Sequence, residues 1–239
     1  MADLHAASRS RKRLFLMRHG EVAYYTPDGK PVPDFNKVGL TENGEAQAHA
    51  VGALLAEAQI DLAGHTPLPR TRATLDAVLQ GRDVPTEVFD DMREAGHGTL
   101  IHEQQQMLDR FVYGLDHAGT PGAVFGADGE AFADVYERVS RTVEALFLRP
   151  GWRCAVLVGH GIANRAALAW ACGAGLHGLA GFEQDSGCLN VIDADVVDGE
   201  IKRRLVRLVN FTPYSPAKHG LTLTTMEAAV AGRFAKDTP

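Results

Sequence analysis

Two apolar segments of this chain end in the same way, with a histidine followed by a glycine. The first is LFLMRHG at residues 14–20, and the second is AVLVGHG at residues 155–161. Short apolar runs bounded by polar residues predict buried β-strands. Ligands of open α/β sheets bind just beyond the carboxyl ends of the strands. If the two strands run parallel in one sheet, His19 and His160 both lie at that ligand-binding edge.

The rest of the chain alternates strand-like and helix-like segments. The spacing of apolar residues predicts helices at 41–58, 70–79, 130–148 and 162–172, and strands near 13–17, 60–68, 84–89, 153–160, 188–194 and 201–210. The last two strands flank the turn VVDGE, which predicts a β-hairpin. This alternation predicts an α/β fold, a three-layer α/β/α sandwich with a largely parallel central sheet and an inserted cap region.

Residues 100–128 follow neither pattern, because a helix-like front runs into a glycine-rich tail. A stretch of this kind between regular elements is typical of a lid or an insertion. We therefore predict a flexible N-terminal tail at residues 1–12 and a single domain at 13–239, with a cap insertion near 100–128 that covers the pocket. The segment LTTMEAAVAGRFA at 223–235 has helical character and either packs on the domain or pairs subunits in a homodimer.

Composition narrows the classes of partner. The chain has 24 Lys and Arg residues against 30 Asp and Glu residues, a net charge of -6, which argues against nucleic acid but not against one small anion in a basic pocket. The three cysteines form no CxxC pair and indicate a reducing compartment, so we expect a cytoplasmic protein. The longest semi-apolar stretch, residues 154–175, contains His160, Asn164 and Arg165, and we therefore expect no membrane partner.

Two arginines add cationic groups to the histidine pair. Arg18 directly precedes His19, and Arg70 lies in TPLPRTR, at a turn that leads into a predicted helix. A guanidinium offers fork-shaped donors that match the oxygens of a phosphate. Gly20 and Gly161 would let the backbone approach a ligand and direct N–H groups at it. In an acidic protein, two arginines and two histidines around one pocket predict a site for a small dianion.

At this point the chain resembles a known family, the histidine phosphatase superfamily, also called phosphoglycerate mutase-like. The segments that carry the resemblance are, in order, LMRHGEV, GLTENGEAQAHAVGALL, TPLPRTRATLDAV, DMREAGHG and VLVGHGIANRAAL. They look like the family's signature, its first helix start, its arginine segment, its acid loop and its second-histidine segment. The matches keep the family's order from about Leu14 to about Asn210, which is most of the chain.

The resemblance implies a metal-independent phosphatase that hydrolyses a small phosphomonoester through a phosphohistidine, with no cofactor. It implies that His19 is the nucleophile and that Arg18, Arg70 and His160 hold the phosphate oxygens, with Gly161 contributing to the phosphate site. It also implies that Glu94 gives a proton to the leaving oxygen and later takes one from water. The expected partner is therefore a small phosphorylated substrate.

Several positions leave alternatives open. The acid can also be one of three carboxylates near Glu94 in the sequence, namely Asp90, Asp91 and Glu103. The family often has an asparagine seven residues after the signature arginine, where this chain has Tyr25, and Asn36 is not assigned that role. His97 is either a substrate contact or simply a loop residue.

Two further functions remain as alternatives to hydrolysis. The first is a phosphoglycerate-type mutase; glycolytic mutases of the family carry a tryptophan-containing stretch soon after the signature. The only tryptophans here are Trp152 and Trp170, so that stretch is missing. The second alternative is a non-catalytic module that binds a phosphorylated ligand on the same fold.

Overall fold

The structure is a computed structural model, and it describes residues 11–26, 28 and 30–234. The first strand begins at Arg11, so the last two residues of the predicted tail belong to the sheet. The Arg11 side chain donates to Asp195 at 2.8 Å, and Lys12 Nζ donates to the Phe147 carbonyl at 2.7 Å. These contacts tie both residues to the folded chain. The remainder of the predicted tail, residues 1–10, lies outside the described residues.

The described strands form one six-stranded sheet. The strands are Arg11–Arg18 (β1), Leu62–His65 (β2), Thr86–Val88 (β3), Cys154–Gly159 (β4), Leu189–Val197 (β5) and Glu200–Phe211 (β6). Their order in the sheet is β3-β2-β4-β1-β5-β6. The pairs β3–β2, β2–β4 and β4–β1 are parallel, whereas β1–β5 and β5–β6 are antiparallel. The predicted largely parallel sheet is confirmed, with an antiparallel hairpin at one edge.

Helices cover both faces of this sheet. The helices are Glu42–Leu54 (α1), Pro69–Leu79 (α2), Gln104–Met107 (α3), Phe132–Leu148 (α4), Gly161–Cys172 (α5) and Thr225–Phe234 (α6). Helix α1 begins where predicted, because the Thr41 side chain accepts the Gly44 N–H at 3.0 Å as an N-cap. Helix α2 begins with Pro69, whose missing N–H costs nothing in the first turn.

The alternation of side chains along β1 explains the three layers. Leu14 and Leu16 belong to the apolar core shared with α4 and α5. Phe15 and Met17, which point to the opposite face, belong to the core shared with α1 and α2. Because successive side chains of a strand lie on opposite faces, one short apolar run fills both cores. The predicted α/β/α sandwich is therefore confirmed.

The hairpin between β5 and β6 also follows its prediction. Asp198 and Gly199 have φ values of 53° and 75° at the two turn positions. Two successive positive φ values are what a two-residue type I′ turn requires, and Asp-Gly is a preferred pair for it. The hairpin places β5 beside β1, so β1, the strand that ends at the first histidine, lies between β4 and β5 in the sheet.

The segment predicted as a cap contains short helical turns rather than one long helix. Helix α3 continues into turns at Leu108–Val112 and Tyr113–His117. Ile101 and Met107 of this segment pack against Val230 of α6 in a small apolar cluster. Helix α6 therefore packs on its own chain, which was one of the two arrangements that the sequence left open. Among the described residues, no helix is long and apolar enough to cross a membrane.

Candidate active site

The two histidine segments meet at the carboxyl edge of the sheet. Strands β1 and β4 are parallel neighbours, with Arg18 opposite Gly159, so the next residue of each strand is a histidine. The ring centroids of His19 and His160 lie 5.3 Å apart, with the rings inclined at 67°. Both side chains are buried. The structure thus brings together two residues that are separated by most of the chain.

His19 is held in the form that a nucleophile needs. Its Nδ1 lies 2.8 Å from the Gly20 carbonyl oxygen, an acceptor, so the ring proton is on Nδ1 and the lone pair is on Nε2. Burial lowers the pKa of His19 well below its ordinary value, and the charges of Arg18 and Arg70 lower it further. The imidazole is therefore neutral near pH 7.

The two arginines are each anchored at one nitrogen by a backbone carbonyl. One terminal nitrogen of Arg18 donates to the Gln184 carbonyl at 2.6 Å, and one of Arg70 donates to the Phe35 carbonyl at 3.0 Å. Both side chains are buried, and the Nε atom of each has no hydrogen-bond partner among the described residues. Buried donors without partners are rare in folded proteins. Each guanidinium is thus fixed in position with a donor left for an anion.

His160 is bonded on the opposite side of its ring. Its Nε2 lies 2.8 Å from Thr66 Oγ1, whereas its buried Nδ1 has no partner among the described residues. Burial lowers the pKa of His160 well below its ordinary value, and the nearby His19, Arg70, Arg18 and Arg138 add to this effect. The charges of Arg18 and Arg70 therefore oppose protonation of both histidines.

The Glu94 side chain contacts the N-terminus of α5, the helix that begins directly after His160. Its carboxylate accepts the N–H groups of Ile162 at 3.0 Å, Ala163 at 3.4 Å and its neighbour Ala95 at 3.0 Å. A carboxylate is favoured at a helix N-terminus, where N–H groups lack partners within the helix. A Cβ on Gly161 would lie 3.5 Å from Glu94 Oε2 and 3.7 Å from the Arg18 guanidinium carbon, so these two groups face the same space.

The other candidate acids lie elsewhere. Asp90, Asp91 and Glu103 are exposed. Asp91 is 3.7 Å from Arg93, and Glu103 accepts a bond from Gln106 at 2.6 Å. Of the four carboxylates considered, Glu94 is the one in contact with the helix that follows His160. Asn36 is exposed as well, and its backbone N–H is bonded to Asp34 at 2.9 Å.

The backbone N–H of Gly20 does not point where the sequence predicted. Its N–H donates to Thr74 Oγ1 at 3.0 Å instead of pointing at a ligand. A Cβ at this position would lie 2.3 Å from the carbonyl oxygen of Gly44, in the first turn of α1. Glycine is therefore required here because the backbone of α1 crosses the strand end at close range.

A group of aromatic rings lies beside Arg70. We use the term rim for Tyr24, Tyr25, Phe35 and His97, all of which are half-buried. The Arg70 guanidinium lies 5.8 Å from the Tyr24 ring, and Phe35 makes edge contacts with Tyr24 at 5.5 Å and His97 at 5.7 Å. Burial raises the pKa of Tyr24, whereas the charges of Arg70 and Arg18 lower it. Through these ring contacts, two rings, Tyr24 and Phe35, lie between Arg70 and His97.

The rim also touches the C-terminal helix. The Arg233 guanidinium lies 5.2 Å from the ring of Tyr25 and 3.4 Å from Nδ1 of His102. Tyr25, which stands where the family often has asparagine, in turn contacts Phe35 at 6.3 Å. The segment at 100–128 and α6 therefore border the rim together.

Three residues that shape the site were not identified from the sequence. Thr66 contacts His160, and the backbone of Gln184 anchors Arg18. Arg138 of α4 donates to the carbonyls of Asp91 at 2.6 Å and Arg93 at 2.9 Å and so supports the loop that carries Glu94. Thr66 could have been found, since it begins the TPLPR segment. Gln184 acts through a backbone carbonyl, which leaves no mark in the sequence.

Apart from the Glu94 carboxylate, the side chains gathered here are cationic guanidiniums and neutral imidazoles. Across residues 11–26, 28 and 30–234, no group of three or more His, Cys, Asp or Glu side chains is arranged to hold a metal ion. The arrangement can bind an anion, present a neutral imidazole nitrogen to it, and exchange a proton through a nearby carboxylate.

Comparisons with known proteins find similar sequences and structures over most of the chain. A family model for the histidine phosphatase superfamily (branch 1) matches residues 14–206. The adenosylcobalamin/alpha-ribazole phosphatase of Salmonella typhimurium strain LT2 is 28% identical over 193 residues, which cover 76% of this chain and 90% of that protein. Phosphoserine phosphatase 1 of Hydrogenobacter thermophilus is 26% identical over 209 residues, 84% of this chain and 92% of that protein. The crystal structure of the alpha-ribazole phosphatase from Shigella flexneri superposes with a TM-score of 0.64 at 24% identity, covering 83% of this chain and 96% of that one.

Proposed function

The chain belongs to the histidine phosphatase superfamily, and from this premise we propose that it is a phosphoric monoester hydrolase that works through a phosphohistidine at His19. The observation that supports this most directly is the pair of buried rings 5.3 Å apart, with the Nε2 lone pair of His19 free. An activated nucleophile divides one difficult displacement into two easier ones.

In the first step, Nε2 of His19 attacks phosphorus in line with the leaving oxygen. The N–P bond forms as the P–O bond to the leaving group breaks, and the electron pair of that bond stays on the leaving oxygen. Glu94 in its protonated form gives its proton to this oxygen, so that a neutral alcohol departs. Arg18, Arg70 and His160 stabilise the charge on the three equatorial oxygens during the transfer.

In the second step, water opens the phosphohistidine. Glu94, now a carboxylate, takes a proton from the water as its oxygen bonds to phosphorus and the N–P bond breaks. The products are inorganic phosphate and neutral His19, and Glu94 is again protonated. The cations that hold the oxygens are guanidiniums fixed by the Gln184 and Phe35 carbonyls, so the charge stabilisation does not call for a metal.

The substrate is a small phosphomonoester whose leaving group contacts the rim. The relatives bear the names of phosphatases for alpha-ribazole phosphate and for phosphoserine, two chemically different leaving groups. The rim, the segment at 100–128 and α6 are joined by the contacts of Arg233. We propose that this segment acts as the cap that selects the leaving group, because loops at strand ends are where specificity is carried.

We also propose a cytoplasmic location. Cys154, Cys172 and Cys188 all carry free thiols. Unpaired cysteines are typical of proteins in reducing compartments.

The test is hydrolysis of a panel of phosphomonoesters by wild type, His19→Ala and His49→Ala. His49 is an exposed histidine of α1 and serves as the matched control. We expect His19→Ala to lose turnover by about 10,000-fold or more, whereas His49→Ala and treatment with EDTA leave turnover unchanged. Equal rates for His19→Ala and wild type would reject the nucleophile. Interconversion of phosphoglycerates without phosphate release would indicate a mutase instead.

A further inference from the structure

A chain of two hydroxyl groups leads from the start of α2 to His160. Thr71 Oγ1 lies 2.8 Å from the Leu68 carbonyl oxygen and 2.9 Å from the Thr66 carbonyl oxygen. A carbonyl oxygen can only accept, and a hydroxyl has only one proton to donate. The proton of Thr71 is therefore committed to these carbonyls, and the oxygen of Thr71 acts as an acceptor toward any other neighbour.

The next hydroxyl is then committed in the same direction. Thr66 Oγ1 lies 3.0 Å from Thr71 Oγ1, so Thr66 donates its proton to Thr71. Thr66 Oγ1 can consequently only accept from His160 Nε2, which lies 2.8 Å away. The neutral ring of His160 must carry its proton on Nε2. Thr66 and Thr71 are both fully buried, so water does not compete for these bonds.

This assignment leaves a lone pair on Nδ1 of His160, the buried nitrogen that has no partner among the described residues. His19 has the opposite tautomer, with its proton on Nδ1. The charged and titratable groups around His160 come from several elements: Arg18 and His19 after β1, Arg70 of α2, Arg138 of α4, and Glu94 at the N-terminus of α5. The three arginines among these groups favour an anion beside His160 and disfavour a cation there until an anion arrives, whereas the single carboxylate of Glu94 acts in the opposite sense.

We propose that Thr66 fixes the proton of His160 on Nε2, so that a phosphate dianion binds only together with one proton taken up at Nδ1. This inference rests on the proposed function, because it concerns the same phosphate. An anionic oxygen cannot approach the Nδ1 lone pair, whereas it accepts a charge-assisted hydrogen bond from an imidazolium N–H. The lowered pKa of free His160 agrees, since the ring is neutral before the ligand binds. Thr66 is thus a positioning residue that acts through His160.

The proton source depends on the ionisation state of the ligand. A dianion requires a proton from solvent, whereas a monoanion brings its own P–O–H, which donates to Nδ1. The affinity for phosphomonoesters should therefore fall as the pH rises above the second pKa of the ligand, which is about 6 for a phosphomonoester. Sulfate remains a dianion across this range, and its binding should take up a proton throughout.

The test is calorimetric measurement of proton uptake when phenyl phosphate binds at about pH 8, where the ligand is a dianion. Titrations in Tris and in HEPES, buffers with different ionisation enthalpies, give the number of protons bound. The background is His19→Ala, which removes turnover and the other imidazole of the pair. We expect uptake of about one proton per ligand, as linkage requires if His160 is protonated only in the complex.

Two variants at Thr66 separate proton placement from packing. Thr66→Ser keeps the hydroxyl and should also take up about one proton. Thr66→Val keeps the shape but removes the acceptor, so His160 can carry its proton on Nδ1 and donate while neutral; uptake should fall to about zero. A loss of packing alone would change the affinity without changing the proton count.

The possible results decide the inference in every case. If the His19→Ala protein, which still carries Thr66, binds phenyl phosphate without taking up a proton, the inference is overturned, even if the Thr66→Val variant does not fold. Equal uptake by that protein and a folded Thr66→Val variant would overturn the role of Thr66. If either of these results is found while wild type hydrolyses phosphomonoesters, the inference about Thr66 fails and the proposed function remains. If wild type neither binds nor hydrolyses them, both proposals fail.

Discussion

At the scale of single residues, the site depends on holding charged and titratable groups in one ionisation state. Burial keeps the His19 ring neutral. The Gly20 carbonyl accepts the Nδ1 proton, which leaves the lone pair of the ring on Nε2. In the proposed mechanism Arg18 and Arg70 contribute twice, because they would attract the phosphate and also oppose protonation of the imidazole. A nucleophile surrounded by cations is therefore compatible with activity under mildly acidic conditions, where an exposed histidine would be protonated.

The pH dependence of kcat/KM should reflect this. The pKa of His19 is lowered well below its ordinary value of 6.5, so protonation removes the nucleophile only as the pH falls through that lower pKa. We expect the acid limb of the kcat/KM profile to lie well below 6.5, with fold stability checked at each pH by circular dichroism. An acid limb centred at the ordinary histidine value would show that the ring is not shielded as described.

The fork of Arg70 should be needed as well as its charge. One of its two terminal nitrogens donates to the Phe35 carbonyl, and its buried Nε, which has no partner among the described residues, is the donor that we propose for the phosphate. Arg70→Lys keeps the charge but loses this arrangement of donors, so kcat/KM should fall about 100- to 1,000-fold. Arg72→Lys is the matched control, since Arg72 is exposed on the same helix and pairs with Asp76. Similar kinetics for the two variants would contradict the phosphate contact.

At the scale of elements, each functional group is supported by an element other than its own. Helix α4 supports the Glu94 loop through Arg138, and the loop at Gln184 anchors the arginine at the end of β1. Helix α6 reaches the rim through Arg233. The proposed phosphoryl transfer would require positioning of this kind, because reacting groups tolerate only small displacements.

Loss of Arg138 should affect both stability and turnover. Its side chain is 8% exposed and forms an ion pair with Glu130 at 2.7 Å, in addition to its bonds with the loop carbonyls. Arg138→Met leaves Glu130 and those carbonyls without their donor, and should lower the free energy of unfolding by about 3–5 kcal/mol. We also expect a lower kcat, because Glu94 loses its support. Urea unfolding and steady-state kinetics measure both effects.

The control for that variant is Arg141→Met, an exposed arginine on the same helix. It should unfold within about 0.5 kcal/mol of wild type, as surface substitutions usually do. If Arg138→Met matched this control in stability and in kcat, the supporting role of α4 would be wrong.

The contact between α6 and the segment at 100–128 should influence substrate choice. Val230 is 2% exposed and packs with Ile101 and Met107. Val230→Asp places a charge in this cluster and should detach the helix, so that the ratio of kcat/KM for bulky and small leaving groups changes by about tenfold or more. Inhibition by inorganic phosphate, which has no leaving group, should stay the same.

Ala231→Asp is the matched control, because Ala231 is exposed on the same helix and receives the same charge. It should retain the substrate preference of wild type. A preference that is unchanged in Val230→Asp as well would mean that neither α6 nor the segment it contacts selects the leaving group.

At the scale of the whole molecule, the sequence predicts the elements whose signals are local. The apolar run of β1 and the Asp198-Gly199 turn specify strand and hairpin within a few residues, and both are confirmed. The meeting of His19 and His160 follows from the parallel pairing of β1 and β4. A one-residue change in register would have turned these side chains apart, so the prediction depended on the sheet as well as on the motif.

The features that could not be predicted depend on contacts between remote segments. Gly20 was expected to face a ligand, but its requirement for glycine comes from Gly44 of α1. The tautomer of His160 depends on hydroxyl directions in Thr66 and Thr71, which no spacing rule encodes. The shape of the segment at 100–128 depends on packing against Val230, more than a hundred residues later. Such arrangements are decided by tertiary packing, on which local patterns carry little information.

The most direct test of the central claim is rapid acid-free quenching of the enzyme during turnover, followed by mass spectrometry of its peptides. We predict one phosphoryl group on the peptide that contains His19, appearing within the first turnover and absent in His19→Ala. Efficient turnover of wild type with no phosphoryl group on that peptide, or with the group on another residue, would contradict the account.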